Sequence, residues 1–369
     1  MKKIAIYTFW NIPNYGTFMQ AYALQKAIAN LNANLDVQQI AYIDKVHYNA
    51  YYKIFNMNYR LYLINPHFYK NLLKRVINYK QIQQLKIFLN YYKQIPHTKN
   101  SSIEKIEKEL FDVVVLGSDI IWDYSIDIFN QDVHLFGNGF NAKKIIAYAP
   151  SFGTIKSGMK VPSYVTKGLK NLDAISVRDE NSANLVQKIA GGEAQVVIDP
   201  TFLVDFWQDE NIKKPELDNY IVVYGSSFTD ELISGAQKYA HTHQLKLVCL
   251  SSLDDTFAWC DINVSQQNMT PFEWCGYFKH AAAVFTCTYH GLIFGLIFNK
   301  RIIFSPTQFI LDKASSLIDY LELEDVLIKY QAFKEKADWS WNYTAINQRI
   351  DALREKSYSF LRNAIVNHE

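Results

Sequence analysis

The sequence predicts an α/β protein with two domains, each built around a mostly parallel, doubly wound sheet. Short apolar runs rich in β-branched residues alternate with helical segments, which is the pattern of βαβ units. The alternation occurs twice, and a charged loop at about 203–218 that contains Pro215 separates the two series. A chain of 369 residues with 49% hydrophobic residues is long enough to form two ordinary cores.

The strands and helices follow one another in a regular order. The first series has predicted strands at 4–8, 35–40, 111–116, 144–149, 174–177 and 195–198, with helices at 17–30 and 179–190. The second has predicted strands at 220–224, 245–250, 283–286 and 301–304, with helices at 229–243 and from residues 270 and 290. We therefore place an N-terminal domain at 1–205, a C-terminal domain at 206–342, and a last helix within 343–369 that could return to the first domain.

A basic segment interrupts the first series. Between residues 45 and 103 there are ten Lys or Arg and no Asp or Glu. Apolar residues recur at helical spacing, as at 85, 88, 89 and 92, which predicts a helical insert at about 45–108. Its apolar face is expected to pack on the main fold, or the segment is a surface for anionic membrane lipid or a lipid-linked acceptor. No nucleic-acid-binding module accompanies these charges, so we predict no nucleic-acid partner.

The composition argues against several other classes of protein. No apolar run approaches the roughly 18 residues of a membrane-spanning helix, and Asn11 and Pro13 interrupt the N-terminal run before a signal peptide could form. Four cysteines without a CxxC pair are typical of reduced thiols, and we expect a cytoplasmic location, or a peripheral one at the inner face of the membrane. Cys287 and His290 have metal-ligand spacing but lack a second pair, so we expect no metal and no cofactor.

Four loops that follow predicted strands carry the candidate site residues. Ligands of open α/β sheets bind beyond the carboxyl ends of the strands, where such loops meet. Gly16 allows close approach of the backbone to a ligand, or it is simply a turn residue. Asp119 supplies a carboxylate, or it caps the next helix. The other positions in these loops are Gly117, Ser118, Arg178, His290 and Gly291.

Arg178 and His290 have the most specific chemistry. A helix that begins at His290 and Gly291 offers free backbone N–H groups, the positive end of the helix dipole and a titratable ring to an anion. The structural alternative for His290 is a buried ring with satisfied hydrogen bonds. Arg178, at the exit of a buried strand, is suited to binding an anion, although it could instead pair with Asp179 or Glu180 at the surface.

An ordered series of motifs runs from residue 14 to residue 300. They read N-Y-G-T-F-M-Q-A-Y-A-L-Q at 14–25, G-S-D-I-I-W at 117–122, A-Y-A-P-S-F-G at 147–153, S-V-R-D at 176–179, D-P-T-F-L at 199–203, T-P-F-E at 270–273 and T-Y-H-G-L-I-F-G-L-I-F-N-K at 288–300. In order, spacing and content, the series resembles the polysaccharide pyruvyl transferases. Each motif is modest alone, but their order is specific.

The resemblance implies a GT-B-like pair of Rossmann-like domains that face each other across a cleft. It also implies phosphoenolpyruvate as donor and a hydroxyl pair of a surface-polysaccharide or lipid-linked glycan precursor as acceptor, with a pyruvate ketal and phosphate as products. The catalytic candidates are then Arg178 for the donor, His290 as proton donor or partner of the leaving phosphate, and Asp119 as base or hydroxyl ligand. The substrate-binding candidates are Gly16, Gly117, Ser118, Gly291 and Lys300.

Two positions depart from the family pattern. Cys287 stands where the family usually has an aspartate three residues before the histidine, and Ile120 replaces a glutamine after G-S-D. If that aspartate orients the histidine in relatives, His290 needs another partner here. These departures leave open a non-catalytic protein that binds a glycan or lipid carrier. The same two-domain cleft would also suit a GT-B nucleotide-sugar glycosyltransferase, which is the other alternative.

Overall fold

Two parallel β-sheets form the framework of the protein. The computed structural model describes residues 1–53, 79–99, 101–250, 257–324 and 341–366. Within these ranges, eleven strands make one sheet of six strands and one of five, and neighbouring strands are parallel throughout. This confirms the predicted fold class of two doubly wound α/β units.

The first sheet uses the N-terminal half of the chain. Its strands are β1 (Lys2–Tyr7), β2 (Leu35–Gln39), β3 (Phe111–Leu116), β4 (Ala142–Ala147), β5 (Ala174–Val177) and β6 (Gln195–Val196), in the order β2-β1-β3-β4-β5-β6. Its helices are α1 (Tyr15–Ala29), α2 (Lys45–Tyr52), α3 (Tyr79–Tyr92), α4 (Ile103–Ile106), α5 (Ser163–Lys170) and α6 (Glu180–Ala190). Five of the six residues of β3 are buried, as expected for a central parallel strand covered on both faces.

The second sheet follows the same plan. Its strands are β7 (Tyr220–Tyr224), β8 (Lys246–Cys249), β9 (Ile262–Asn263), β10 (Ala283–Thr286) and β11 (Arg301–Phe304), in the order β11-β10-β7-β8-β9. The remaining helices are α7 (Asp230–Thr242), α8 (Pro271–His280), α9 (Tyr289–Ile297), α10 (Gln308–Leu321) and α11 (Tyr343–Ile365). Helix α8 begins with a complete capping box, in which Thr270 and Glu273 each accept the other's backbone N–H.

Each sheet has a point at which the strand order reverses. In the first sheet β2 and β3 lie on opposite sides of β1, and in the second sheet β8 and β10 lie on opposite sides of β7. Connections leave such a point in opposite directions, which opens a crevice at the carboxyl ends of the strands. Gly16 and Asp119 follow β1 and β3, and His290 follows β10, so the candidate residues lie at these two points.

The two units share one apolar core. A single cluster of buried side chains includes Ile4 of the first sheet and Val222 of the second. At its centre the ring of Tyr15, on α1, stacks on Trp274 of α8 with 5.8 Å between ring centroids. The Tyr15 hydroxyl also donates to the carbonyl of Met269, 3.3 Å away. This contact fixes the start of α1, and with it Gly16, against the second unit.

The sequence did not predict helix α10. Its buried positions recur at helical spacing, at Ala314, Leu317, Ile318 and Leu321. The first turn obscures this pattern, because Phe309 and Leu311 point outward and are 41% and 38% exposed. Helix α5 and the short strand β9 were likewise not predicted.

The basic segment is helical where the structure describes it. Helix α3 buries Leu85, Phe88 and Tyr92, and the Phe88 ring lies 5.0 Å from that of Tyr15. The apolar face at 85–92 therefore packs on the main fold, as expected, while Lys86 and Lys93 are exposed. Residues 54–78 and 100 lie outside the described ranges, so lipid binding by this segment stays a prediction. Among the described helices, none has the length and apolar character needed to cross a bilayer.

The last helix, α11, contacts the first sheet. Ser357 Oγ accepts a hydrogen bond from the backbone amide of Ile198, 3.0 Å away, and donates to the carbonyl of Leu353. The Tyr358 hydroxyl donates to the carbonyl of Leu203 at 2.6 Å. These bonds hold the segment that ends β6 and begins the motif at 199–203.

Replacing Ser357 by alanine tests this contact. The variant leaves the buried Ile198 amide without its acceptor, so we expect a loss of about 1–3 kcal/mol in the free energy of unfolding. Ser359→Ala is the matched control, because Ser359 lies on the same helix and is exposed. Chemical denaturation measures both. Equal stability of the two variants would contradict a structural role for the Ser357 hydroxyl.

Candidate active site

Five side chains from the two units meet between the carboxyl ends of the sheets. Asp119 and Arg178 belong to the first unit, and Tyr289, His290 and Lys313 belong to the second. We call these five residues the interdomain cluster. It contains the three predicted catalytic residues, Asp119, Arg178 and His290, and two residues that the sequence did not single out.

Asp119 follows β3 with a backbone φ of 77°, in the left-handed region that non-glycine residues rarely adopt. Its Oδ1 accepts from Lys313 Nζ at 3.2 Å and from the Ile120 amide at 2.9 Å, and its Oδ2 accepts from Thr17 Oγ1 at 3.2 Å. Burial alone would raise the pKa of Asp119, but Lys313 and Arg178 hold it well below its usual range. The carboxylate is therefore charged and fully engaged.

Arg178 follows β5 and has a side chain only 3% exposed. Its Nη1 donates to Asp199 Oδ2 at 3.1 Å, and its guanidinium carbon lies 4.6 Å from the centroid of the Tyr289 ring. The alternative of a surface pair with Asp179 or Glu180 is wrong, because the guanidinium points into the interdomain cluster. Among the described residues, Arg178 Nε and Nη2 have no hydrogen-bond partner.

Asp199 orients Arg178 from the start of the 199–203 motif. Its Oδ1 accepts from the amide and the hydroxyl of Thr201, at 3.1 and 2.8 Å, which leaves Oδ2 for the guanidinium. Asp199 is 1% exposed, so this carboxylate is a fixed buried partner. The arginine is thereby held in one orientation by a buried, hydrogen-bonded carboxylate.

Lys313 reaches the interdomain cluster from α10. Its Nζ lies 3.2 Å from Asp119 Oδ1 and 4.8 Å from the centroid of the Tyr289 ring. The side chain is 10% exposed. Burial lowers the pKa of Lys313 from its usual value, and the Asp119 carboxylate opposes this shift. Two cations, Lys313 and Arg178, thus contact the same aromatic ring.

His290 is the second residue of α9, and its ring faces Gly16 across the interface. A side chain at Gly16 would collide with His290 Cγ and Nδ1, which explains why the position is glycine. The Nε2 atom is buried and has no partner in the described part of the chain. Burial, and then the nearby Lys313 ammonium, lower the pKa of His290 to about 4. The ring is therefore neutral at pH 7.

One backbone amide in the first turn of α9 is already hydrogen-bonded to the N-cap residue. The helix begins at Tyr289 rather than His290, and its N-cap Thr288 accepts from the amide of Gly291 at 3.0 Å. A side chain at Gly291 would collide with Thr286 Oγ1. The amide of Gly291 is thus bonded within the protein, which differs from the expectation of a free amide there.

Cys287, at the position where the family usually has an aspartate, binds backbone amides. Its Sγ accepts from the amides of Ser226 and Ser227, at 3.2 and 3.5 Å, in the loop after β7. A side chain at Gly225, where φ is 137°, would collide with the same sulfur. The thiol therefore ties the loop after β7 to the end of β10.

Gly117 and Ser118 line the end of β1. The amide of Gly117 donates to the carbonyl of Tyr7 at 2.9 Å, and the Thr8 side chain fills the space beside its Cα. Thr8 Oγ1 in turn donates to the Ser118 carbonyl at 3.2 Å. Ser118 is fully buried, and its hydroxyl has no partner among the described residues.

Lys300 lies at the other end of the second sheet. It directly precedes β11, whose first residue pairs with Ala283 at the amino end of β10, whereas the interdomain cluster lies beyond the carboxyl end at Thr286. Its Nζ is 5.8 Å from the centroid of the Trp207 ring, and burial lowers its pKa to about 8. The structure therefore does not bring Lys300 to the other candidates, although Lys313 places a lysine there.

The site combines fixed charge with unsatisfied polar groups. Within the interdomain cluster, the buried atoms that have no partner among the described residues are Arg178 Nε, Arg178 Nη2 and His290 Nε2. A buried polar group that is left unsatisfied costs about 1–3 kcal/mol, so these nitrogens are suited to bind an oxyanion at this ligand site. Charge-assisted bonds from Arg178 and Lys313 would make that ligand site strong.

Two residues of the site, Lys313 and Asp199, were not predicted from the sequence, for different reasons. Lys313 belongs to a helix that was not predicted, but it stands three residues after Ile310 and four before Leu317, on the apolar face. A charged residue in such a face is a usable signal for a buried site. Asp199 was noticed only as part of a motif, since its partner Arg178 is 21 residues away.

Substituting Gly16 by alanine tests the contact between the units. In an isolated helix the change would stabilise by roughly 0.5–1 kcal/mol. Here we expect a loss of about 1–3 kcal/mol in unfolding free energy, because the added methyl overlaps the His290 ring. In the His290→Ala background the same change should become neutral or stabilising. Denaturation of the four proteins in this cycle measures the coupling, and additive effects would contradict the contact.

The chain is similar to a known protein family over most of its length. The family model for polysaccharide pyruvyl transferase matches residues 14–305. A comparison with curated proteins gives no significant match. Similar solved structures include S. aureus MnaA with UDP (12% identity, TM-score 0.46, covering 99% of this chain and 91% of that one). E. coli heptosyltransferase WaaC with ADP (10%, 0.40, 84% and 90%) and UDP-GlcNAc 2-epimerase from Neisseria meningitidis bound to UDP-GlcNAc (9%, 0.44, 96% and 99%) are others.

The matched segment begins at the N-cap of α1 and ends just after β11. It contains the point at which the strand order of the second sheet reverses and, of the interdomain cluster, every residue except Lys313. Because the match covers well over half of the chain, this protein belongs to the polysaccharide pyruvyl transferase family.

Proposed function

We propose that the protein transfers pyruvate from phosphoenolpyruvate to two hydroxyl groups of a sugar, forming a pyruvate ketal on a glycan precursor. The observation that carries the proposal is the set of buried nitrogens on Arg178 and His290 that have no partner among the described residues, with the Lys313 ammonium close to both side chains. The donor carries a carboxylate and a phosphate, and such a site supplies the charge-assisted hydrogen bonds that both need. Family membership supports a transferase of this kind.

The reaction requires few groups. A proton adds to the methylene carbon of the donor and leaves positive charge on the adjacent carbon, which a sugar oxygen attacks. The bond from that carbon to the phosphate oxygen breaks, and the second hydroxyl oxygen closes the ketal ring. Of the two hydroxyl protons, one ends on the new methyl group and the other on the released phosphate. No oxidant or reductant is needed, so the protein has to supply binding, proton transfer and charge stabilisation.

His290 acts as the proton carrier in this scheme. With a pKa of about 4 it is neutral before the donor binds. A bound phosphate dianion next to Nε2 would favour the imidazolium and raise that pKa, so the donor itself prepares the acid. The imidazolium can then neutralise the departing phosphate or protonate the methylene carbon. Lys313 and Arg178 hold the pKa of Asp119 low, which makes this carboxylate a weak base. It is better suited to accept a hydrogen bond from a sugar hydroxyl.

Phosphate release tests the proposed activity directly. The purified protein is incubated with phosphoenolpyruvate and a panel of galactose, glucose and N-acetylhexosamine glycosides, and the product is examined by mass spectrometry for the added pyruvate. We expect phosphate release that depends on one class of acceptor. No release with any acceptor, together with no thermal stabilisation by phosphoenolpyruvate, would count against the donor assignment.

Arg178→Ala and His290→Ala should each lower kcat/KM by about 10² to 10⁴-fold, because they remove donor binding and proton transfer respectively. His241→Ala is a matched control for the histidine, because His241 is exposed on α7. Circular dichroism establishes that the variants are folded. Activity of His290→Ala within a few-fold of the wild type would remove His290 from the mechanism.

Binding of phosphoenolpyruvate should take up a proton at neutral pH. The reason is that the pKa of His290 lies near 4 in the free protein and rises when the anion is bound, so the ring gains a proton on binding. Affinity should accordingly fall as pH rises through the raised pKa. Calorimetry in two buffers of different ionisation enthalpy measures the uptake. His290→Gln should abolish it, and an identical uptake in that variant would assign the proton to another group.

A further inference from the structure

Lys313 is a buried cation that lies outside the segment matched by the family. The match ends at residue 305, and α10 begins at Gln308. The lysine nevertheless contacts Asp119 and Tyr289, in the middle of the interdomain cluster. The proposed function uses the charge of Lys313 at the anion site but gives no role to its contact with Asp119.

A purely structural role for Lys313, tying α10 to the first unit, is already fulfilled by other contacts. Ser316 Oγ accepts from the amide of Glu180 at 3.1 Å, and the hydroxyl of Tyr320 donates to the Glu180 carboxylate. Lys156 and Asp312 form an ion pair at 3.2 Å. These contacts lie along the same helix and hold it across the interface. A buried lysine is costly to keep for that purpose alone.

The Asp119 carboxylate is an anion that lies beside the same two cations that would bind an anionic ligand. It lies beside Lys313 and within 3.9 Å of Arg178 Nη2, and its backbone has the unusual φ of 77°. When Lys313 turns away, Asp119 keeps two hydrogen bonds, from Thr17 Oγ1 and from the Ile120 amide. The carboxylate is therefore not left unsatisfied if the lysine changes partner. A strained backbone conformation of this kind is typical of functional sites.

We propose that Lys313 is a donor-binding residue whose ammonium group moves from Asp119 to the phosphate of the incoming donor. In the ligand-free protein the Asp119 carboxylate takes the place of that phosphate. After the exchange, Lys313 and Arg178 bind the oxyanions of the donor. Asp119 can then accept a hydrogen bond from a sugar hydroxyl. The naming of the donor rests on the proposed function, whereas the exchange itself requires only a phosphate-bearing ligand.

Two variants with opposite expected effects test the exchange. Calorimetry measures the affinity of each protein for phosphoenolpyruvate and for inorganic phosphate. Lys313→Met should weaken the binding of both by about 30-fold or more, because it removes a buried cation from the anion site. Asp119→Asn should strengthen the binding of inorganic phosphate several-fold, because it removes the competing carboxylate. A purely structural ion pair predicts weaker or unchanged binding in Asp119→Asn.

Lys26→Met is the matched control for the lysine substitution. Lys26 Nζ lies 3.2 Å from Asp209 Oδ2, the same separation as in the pair of Lys313 and Asp119, but on the side of α1 that faces the 203–218 loop. The Lys26→Met variant should bind inorganic phosphate with the same affinity as the wild-type protein. Lys313→Arg should recover part of the affinity, because it restores the charge at the same position.

The outcomes separate this inference from the proposed function. If phosphoenolpyruvate supports no turnover while the two variants still shift phosphate affinity in opposite directions, the donor is wrong and the role of Lys313 stands. If the wild type turns over phosphoenolpyruvate and Lys313→Met binds it as tightly as the wild type, the exchange is wrong and the activity stands. A wild-type protein that binds neither anion overturns the inference.

Discussion

The ion pair of Lys313 and Asp119 joins the two halves of the molecule and sets the charge balance of the site. Asp119 is buried and charged because cations from both units lie beside it. Burial lowers the pKa of His290, and Lys313 and, to a smaller extent, Arg178 lower it further, so the imidazole is neutral. Under the proposed function, an anionic ligand beside His290 would raise the pKa of the imidazole, and electrostatics would then link ligand binding to proton transfer.

The apolar core shared by the two units holds the charged groups of the site in fixed positions. The ring of Tyr15 stacks on that of Trp274 in the second unit. The next residue, Gly16, has no side chain, so the His290 ring can approach the first turn of α1. Dense packing resists small displacements, so the positions of the charged groups are held by residues that take no part in chemistry. Asp199 has a similar function for Arg178, and α11 holds the segment that leads into Asp199 through Ser357. Preorganisation of this kind is what a site for developing charge requires.

The departure at Cys287 has a local explanation. The thiol accepts two backbone amides from the loop after β7, a task that a carboxylate at this position could also perform. It does not have to orient His290, whose ring packs against Gly16 and lies near Tyr289. The cysteine is thus compatible with an active site of the proposed type. The histidine lacks a carboxylate partner among the described residues that hydrogen-bonds its ring, and this agrees with a ring that is neutral until an anion binds.

The sequence alone determined the two parallel sheets and the placement of Asp119, Arg178 and His290 at strand ends. It could do so because strand and helix patterns are local, and because the carboxyl ends of parallel strands share one edge of a sheet. Only the tertiary structure decided which groups meet. Lys313 is 194 residues from Asp119, and Lys300, the lysine within the family motif, lies at the far end of its sheet. Such pairings depend on how the two units pack against each other, and that is set by the sum of many weak packing contacts rather than by any short segment.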